Sequence, residues 1–227
     1  MTDHTLSNET VPTRHNARDR QQTTAWPGTT TWGVLAAWFL AALAAGALGA
    51  FTPDPGRAPV NVVLAVGGPI VLFLTAYAAI ARFRRFVLAL DLRLLTIVQS
   101  WRILGAMFLV LYAHGLLPGS FAWPAGVGDA LVGLAAPFAL LSMVAGHAAW
   151  RRHVLWLNFA GLLDFVGALG FGLLSSGSAF GVLGGPVTTD IMMALPLSLI
   201  PTFFVPLWIL IHLASLLQLR ATAPARD

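Results

Sequence analysis

Long runs of apolar residues alternate with short polar links along most of this chain. Each run has about 20 residues or more, which is the length that a helix needs to cross a ~30 Å hydrocarbon core. Inside a bilayer only helices or closed barrels satisfy all backbone hydrogen-bonding groups. The pattern therefore predicts an all-α, polytopic membrane protein, a six-transmembrane-helix bundle with spans at 31–51, 60–81, 92–115, 125–149, 154–174 and 191–219.

The domain boundaries follow from the same pattern. Residues 1–30 are polar and lack apolar periodicity, which predicts a disordered cytoplasmic tail. Residues 31–220 form the predicted six-helix membrane domain, and 221–227 form a short cytoplasmic tail. The first apolar run is longer than the 7 to 15 residues of a signal-peptide core, so we expect it to be retained as a helix.

The last span differs from the others because it is long and rich in proline. A straight helix over 191–219 would reach roughly 43 Å, which is too long for an untilted span. Pro196, Pro201 and Pro206 each remove a backbone donor and clash with the carbonyl four residues earlier. The sequence predicts a Pro-kinked sixth helix whose freed carbonyls face protein or water.

Composition supports the membrane assignment and excludes several kinds of site. The chain is 57% hydrophobic and 10% charged, whereas soluble domains are about 25% charged. The absence of cysteine excludes disulfides, thiolate metal sites and cysteine nucleophiles. All 13 basic residues are arginine, but they flank the apolar runs, so we expect no nucleic-acid partner. The expected partners are the lipid bilayer and either a second copy or another membrane protein.

The distribution of arginine predicts the orientation. With the N-terminus inside, the following arginines fall in cytoplasmic segments: Arg14, Arg18, Arg20, Arg82, Arg84, Arg85, Arg93, Arg151, Arg152, Arg220 and Arg226. Only Arg57 falls outside, and one arginine lies within a span. The positive-inside rule then places both termini in the cytoplasm of a bacterial-type inner membrane.

Arg102 is the arginine within a span, and it organises the predicted interior. A guanidinium at that depth costs roughly 2.5 to 3.5 kcal/mol on insertion scales, so it needs a partner. Asp164 lies at nearly the same depth in the fifth span, which makes it the predicted counter-charge. Gln99 lies one three-residue step before Arg102 and extends the polar stripe.

Two functions fit such a pair. It either fixes helix register alone or lines a substrate or proton path, as intramembrane ionisable residues often do. Our working hypothesis is small-solute or proton-linked transport, with Arg102 as an anion or carboxylate contact and Asp164 as counter-charge or proton acceptor. The first alternative is a non-catalytic membrane assembly partner or a small-molecule sensor.

Other polar residues suggest two further groupings. His114 and Asp129 lie near one membrane face on adjoining spans, where they predict either a hydrogen-bonded rim or a proton relay. His147, Asn158 and His212 fall at comparable depths in the other half, and two imidazoles on different helices can ligate a haem iron. A haem- or quinone-associated redox subunit is therefore the second alternative; otherwise we expect no cofactor and no metal.

Residues 126–129 resemble the GxGD motif of intramembrane aspartyl proteases, and residues 194–196 are distantly similar to their PAL motif. The resemblance implies a second aspartate that shares a proton with Asp129. Asp164 follows Asp129 in the chain and is expected roughly 12 Å deeper in the bilayer by helical rise. The sequence also contains no P-loop, dinucleotide fingerprint or HExxH string. Enzymatic activity is therefore not the favoured prediction.

The orientation can be tested with a reporter fused after Arg220. Because the charge asymmetry places this end in the cytoplasm, a cytoplasm-active reporter should give signal there and a periplasm-active reporter should not. A fusion within the link that contains Arg57 should show the opposite pattern. A periplasmic signal after Arg220 contradicts the predicted topology.

Overall fold

The computed structural model describes residues 28–52 and 55–222, and in this part of the chain no β-strand forms. We number the helices in chain order: α1 Thr29–Ala47, α2 Val60–Ala79, α3 Ala81–Ala89, α4 Leu92–Ala113, α5 Gly119–Val144, α6 Trp150–Leu174 and α7 Ile200–Ala221. Two of them contain other helical geometry, because Val98–Ala106 of α4 is a 3₁₀ helix and Ile200–Phe204 of α7 is a π-helix.

Six of these helices are long and apolar enough to cross a membrane, and only the short α3 is not. This number fits a multi-pass membrane protein, as the sequence predicts. The predicted tails lie mostly outside the described residues: the structure covers 28–30 of the first tail and 221–222 of the second.

The outer surface is apolar, and the interior contains polar side chains beside its apolar core. Phe138, Trp156 and Leu163 are among the large apolar side chains that are mostly exposed. In contrast, Arg102 and His212 are buried. Apolar faces of this extent are typical of surfaces that contact lipid, and polar side chains between helices join them by hydrogen bonds.

The helices α4, α5, α6 and α7 form the centre of the bundle. One core cluster contains Phe108, Phe121 and Met192, and a second contains Val132, Leu157 and Leu219. The site described below lies on the same four helices. The two remaining spans are peripheral: α1 packs Ala42 against Leu199 and Phe203, and α2 has no fully buried residue.

The short helix α3 is tied to the last span by a polar side chain. Nε2 of Gln218 donates hydrogen bonds to the backbone carbonyls of Val87 (2.8 Å) and Leu90 (2.9 Å). These carbonyls lie at the end of α3, where the helical hydrogen-bond ladder ends, and the Val87 carbonyl also accepts from the backbone N–H of Leu90 at 3.4 Å. The Asp91 side chain then accepts from the backbone N–H of Arg93 and caps the start of α4.

The two largest differences from the predicted boundaries both lie near proline residues. The fourth span was expected to begin at residue 125, but α5 begins at Gly119 and contains Pro124 within it. The sixth was predicted as one Pro-kinked helix over 191–219. Instead, a 3₁₀ turn at Thr189–Met193 is followed by an irregular segment, and α7 begins only at Ile200. At 22 residues, α7 is roughly 33 Å long and matches a bilayer.

Candidate functional site

Arg102 lies in the 3₁₀ part of α4. Three residues per turn align Gln99, Arg102 and Gly105 on one side of this segment. Gln99 and Arg102 are buried, whereas the intervening Trp101 and Leu104 are exposed apolar side chains. The local geometry therefore directs the polar stripe into the bundle and leaves the apolar side chains toward lipid.

The Arg102 guanidinium binds groups from all three other central helices. Its Nε donates to Oδ1 of Asp129 on α5 at 2.7 Å, and its Nη2 donates to Oδ2 of Asp164 on α6. Its Nη1 donates to the Gly161 carbonyl oxygen at 3.2 Å and lies 3.2 Å from Nε2 of His212 on α7. With 4% of its surface exposed, Arg102 has these protein groups in place of water.

Two carboxylates share this one cation. Nε and Nη2 form one edge of the guanidinium fork, so Asp129 and Asp164 lie beside each other and interact electrostatically. If both are ionised, the cluster has one negative charge in excess. An uncompensated charge of this kind is costly away from water, so one proton or one cationic group is needed to balance it.

His212 is held in one tautomer by its neighbours. Its Nε2 faces a guanidinium that can only donate, so this nitrogen accepts. Its Nδ1 lies 2.8 Å from Oδ1 of Asn158, whose Nδ2 donates to the Val154 carbonyl at 2.7 Å. The amide oxygen therefore accepts from Nδ1–H, and both ring nitrogens of the neutral imidazole are used within the protein.

Phe165 covers the cluster with an aromatic ring. The Arg102 Cζ lies 3.9 Å from the ring centroid, and the His212 ring meets the same phenyl group at 6.1 Å in an edge-on arrangement. A cation over a ring face gains up to about 2 kcal/mol when water is excluded. The ring thus stabilises the guanidinium and shields it.

Three glycines bring the helices close enough for these contacts. A Cβ atom on Gly105 would collide with the Asp129 side chain, and one on Gly128 would collide with the Asp164 carboxylate. A Cβ on Gly161 would collide with the His212 ring and the Arg102 guanidinium. Each ionised or polar side chain therefore packs across a glycine of a neighbouring helix, which is the way that small residues allow close helix approach in membranes.

A cavity of about 560 Å³ connects the cluster with one end of the bundle. We call this end the Arg57 end, because the α1–α2 link that contains Arg57 meets the α6–α7 link there through backbone hydrogen bonds. Arg57 and Asp190 line the cavity toward that end, and Asp129 and Phe165 line it toward the cluster. Asp164 does not line it, so Asp129 is the carboxylate that the cavity reaches.

Gln99 is buried without a hydrogen-bond partner for either amide atom among the described residues. Only 1% of its surface is exposed. Buried amides nearly always have a hydrogen-bond partner, so Gln99 is an exception, and it is not among the residues that line the cavity. It lies one 3₁₀ turn before Arg102, on the side that the sequence assigned to the substrate or proton path.

The predicted pairings have different outcomes. Arg102 and Asp164 pair as expected from their equal depth. The pairing of His114 with Asp129 is wrong, because Asp129 binds Arg102 and His114 is exposed beyond the end of α4. The cause is the early start of α5 at Gly119, which places Asp129 about 15 Å along the helix instead of in its first turn.

The structure also does not bring together the proposed haem ligands. His147 is exposed in the link between α5 and α6, whereas His212 is buried and uses both ring nitrogens. Asn158, the third residue proposed to contact a haem, is hydrogen-bonded to His212. Among the described residues no group of three or more His, Cys, Asp or Glu side chains is arranged to hold a metal ion.

The expected difference in depth between the two aspartates is wrong as well. Asp129 and Asp164 lie beside each other, not 12 Å apart in depth. This arrangement nevertheless differs from an isolated pair of carboxylates, because the Arg102 guanidinium donates to one oxygen of each.

The contacts of Phe165 and of the Gly161 carbonyl were not predicted. Phe165 follows Asp164 directly, and Gly161 precedes it by three residues on the same helix face. On this helix Ala160 is exposed, whereas Gly161 is buried. The helix face shared by Asn158, Gly161 and Phe165 was the sequence pattern that could have indicated these contacts.

We expect Gly161→Ala to destabilise the protein and Gly167→Ala to be tolerated. The new methyl group at residue 161 meets His212 and Arg102, whereas the same change at residue 167 of the same helix meets open space. Overpacking costs roughly 1 to 3 kcal/mol, so thermal unfolding in detergent should occur at a clearly lower temperature for the first variant only. Equal melting temperatures would contradict the close packing around Gly161.

We also expect Arg102→Met to destabilise the fold by roughly 3 to 5 kcal/mol, since it leaves two carboxylates without their cation. Adding Asp129→Asn and Asp164→Asn to Arg102→Met removes the unpaired charges and should recover at least half of that loss. Unfolding curves in mixed micelles measure both effects. A triple variant no more stable than Arg102→Met alone would show that charge balance is not what the arginine supplies.

Comparison with known proteins adds a family but no activity. No curated protein and no solved structure matches the chain. One family model matches residues 59–220, which contain α2 to α7 and every residue of the Arg102 cluster. Since this match covers more than half of the chain, the protein belongs to the family described as Domain of unknown function (DUF8737).

Proposed function

We propose that the protein carries out proton-linked transport of a small solute through the interior built around Arg102, Asp129 and Asp164. The observation that supports this proposal is the cavity that leads from the Arg57 end of the bundle to the Asp129 carboxylate. Its volume of about 560 Å³ lies within the range of roughly 300 to 1,000 Å³ that is typical of small-molecule sites.

Asp129 is the acceptor in this proposal, and Arg102 has a different role from the one expected from sequence. The guanidinium already donates to Asp129, Asp164 and Gly161, and Phe165 covers it. It therefore positions the two carboxylates and compensates one of them. The second negative charge remains for a proton or a solute, and Asp129 is the carboxylate in contact with the cavity.

Alternating access requires a part of the bundle that moves. We place this part in Ile200–Phe204 of α7, where Ile200 and Pro201 line the cavity. We assign the kink predicted for the last span to the same segment. π-helical segments occur frequently at functional sites, and proline prevents a regular hydrogen-bond ladder there. Movement of this segment would expose the cluster toward the opposite end, where His212 and Asn158 continue the polar interior.

The direction of access follows from the proposed orientation. With both termini in the cytoplasm of a bacterial-type inner membrane, the Arg57 end faces outward. The cavity is then open toward the outside, and the buried end of the path faces the cytoplasm. A non-catalytic assembly partner or a sensor would use the same cavity without moving solute or protons.

Flux measurements in proteoliposomes test this proposal. Vesicles containing the pH indicator pyranine are given four probes in turn, namely ethidium, benzylsulfonate, leucine and glucose. We expect at least one probe to cause proton movement that is absent from protein-free vesicles. Because Asp129 is the proposed acceptor, Asp129→Asn should reduce the rate at least tenfold.

The control variant is Asp91→Asn, which removes a carboxylate outside the cavity and keeps an oxygen that can cap α4. It should transport as the wild type does. If no probe moves protons in wild-type vesicles, proton-linked transport is rejected in favour of the assembly or sensor interpretation.

A further inference from the structure

The cavity and the cluster together indicate the chemical class of the solute. We infer that it is a lipophilic organic cation, which exchanges with a proton at Asp129. This inference rests on the proposed function and makes it more specific. Its basis is the composition of the cavity wall together with the sign of the uncompensated charge at Asp129.

The wall of the cavity is apolar over most of its depth. Met192, Met193 and Val205 line it, and Phe108 and Phe121 add two aromatic rings whose centroids lie 5.2 Å apart. Such a wall binds a large apolar body, and methionine side chains adapt to different shapes. Apart from Asp129, the polar side chains of the lining belong to or adjoin the two links at the Arg57 end, so a sugar would find few hydrogen-bond partners beside the cluster.

The charge at the cluster selects a cation over an anion. An anion would meet the Asp129 carboxylate, while the nearby guanidinium already donates to two carboxylates and a carbonyl. A cation would compensate the excess negative charge and would also be attracted to the faces of aromatic rings. The Arg57 end carries both an arginine and an aspartate on the cavity lining, so selection by charge occurs at the cluster.

Exchange follows from the single excess charge. In the absence of solute, one proton on the pair of aspartates balances the cluster, with Arg102, Asp164 and His212 as the ionisable groups that face Asp129 or its partners. When a cation enters, its positive charge replaces that of the proton, which leaves to water. One positive charge is gained and one is lost, so the buried cluster remains neutral in both states.

The test compares two probe ions of the same shape and opposite charge, tetraphenylphosphonium and tetraphenylborate. Calorimetric titration of the purified full-length protein, with empty micelles as the blank, should give at least tenfold tighter binding of tetraphenylphosphonium. The Asp129→Asn variant should lose at least tenfold in affinity for this cation, and Asp91→Asn should bind it as the wild type does. In weak buffer, cation binding should release up to one proton per molecule bound, and Asp129→Asn should release none.

Similar affinities for the two ions, or unchanged cation binding by Asp129→Asn, would overturn the inference. The proposed function fails in a different way. If tetraphenylphosphonium does not bind but another solute still drives proton movement that depends on Asp129, the solute class is wrong and transport remains. If the cation binds with proton release but no probe moves protons across vesicles, the solute class is right and the protein is a sensor.

Discussion

The need to satisfy one buried guanidinium determines how the four central helices are arranged. Leaving Arg102 uncompensated inside a bilayer costs several kcal/mol, and its donors point in fixed directions from a planar group. Asp129, Asp164 with Gly161, and His212 supply acceptors from α5, α6 and α7 respectively. An apolar helix face packs against lipid about as favourably as against another apolar helix. These directed contacts therefore fix the rotation of each helix more strongly than shape alone.

Close approach of the helices makes this cluster possible. Gly105, Gly128 and Gly161 lie where a methyl group would collide with a polar side chain of the site. The 3₁₀ geometry of Val98–Ala106 adds to this, because it keeps Gln99 and Arg102 on one line facing the neighbouring helices. The glycines and the 3₁₀ geometry are therefore necessary for the site, although they contribute no functional side chain to it.

The sequence predicted the spans and the Arg102–Asp164 pair because apolar length and depth can be read from residue spacing. It did not predict the contribution of Asp129, since Pro124 was taken as part of a link although it lies within α5. It also placed His212 with His147 by depth alone. Depth does not determine which neighbour a side chain faces. The direction of His212 depends on the rotation of α7 about its axis, and this rotation depends on where the irregular segment before α7 ends. The packing of the helices determines both.

The second carboxylate favours the proposed transport site over a cluster that only fixes helix packing. Asp164 alone would compensate the charge of Arg102, although Asp129 also accepts from Nε of Arg102 and joins α5 to α4. The part-buried Asp129 adds a second carboxylate, and a second negative charge is costly away from water unless a proton or cation accompanies it. Asp129 also happens to be the member that the cavity reaches. A structural role accounts for the contact of Asp129 with Arg102 but not for the position of this carboxylate at the inner end of a largely apolar cavity, whereas the proposed exchange of protons for cations uses both the second charge and that position.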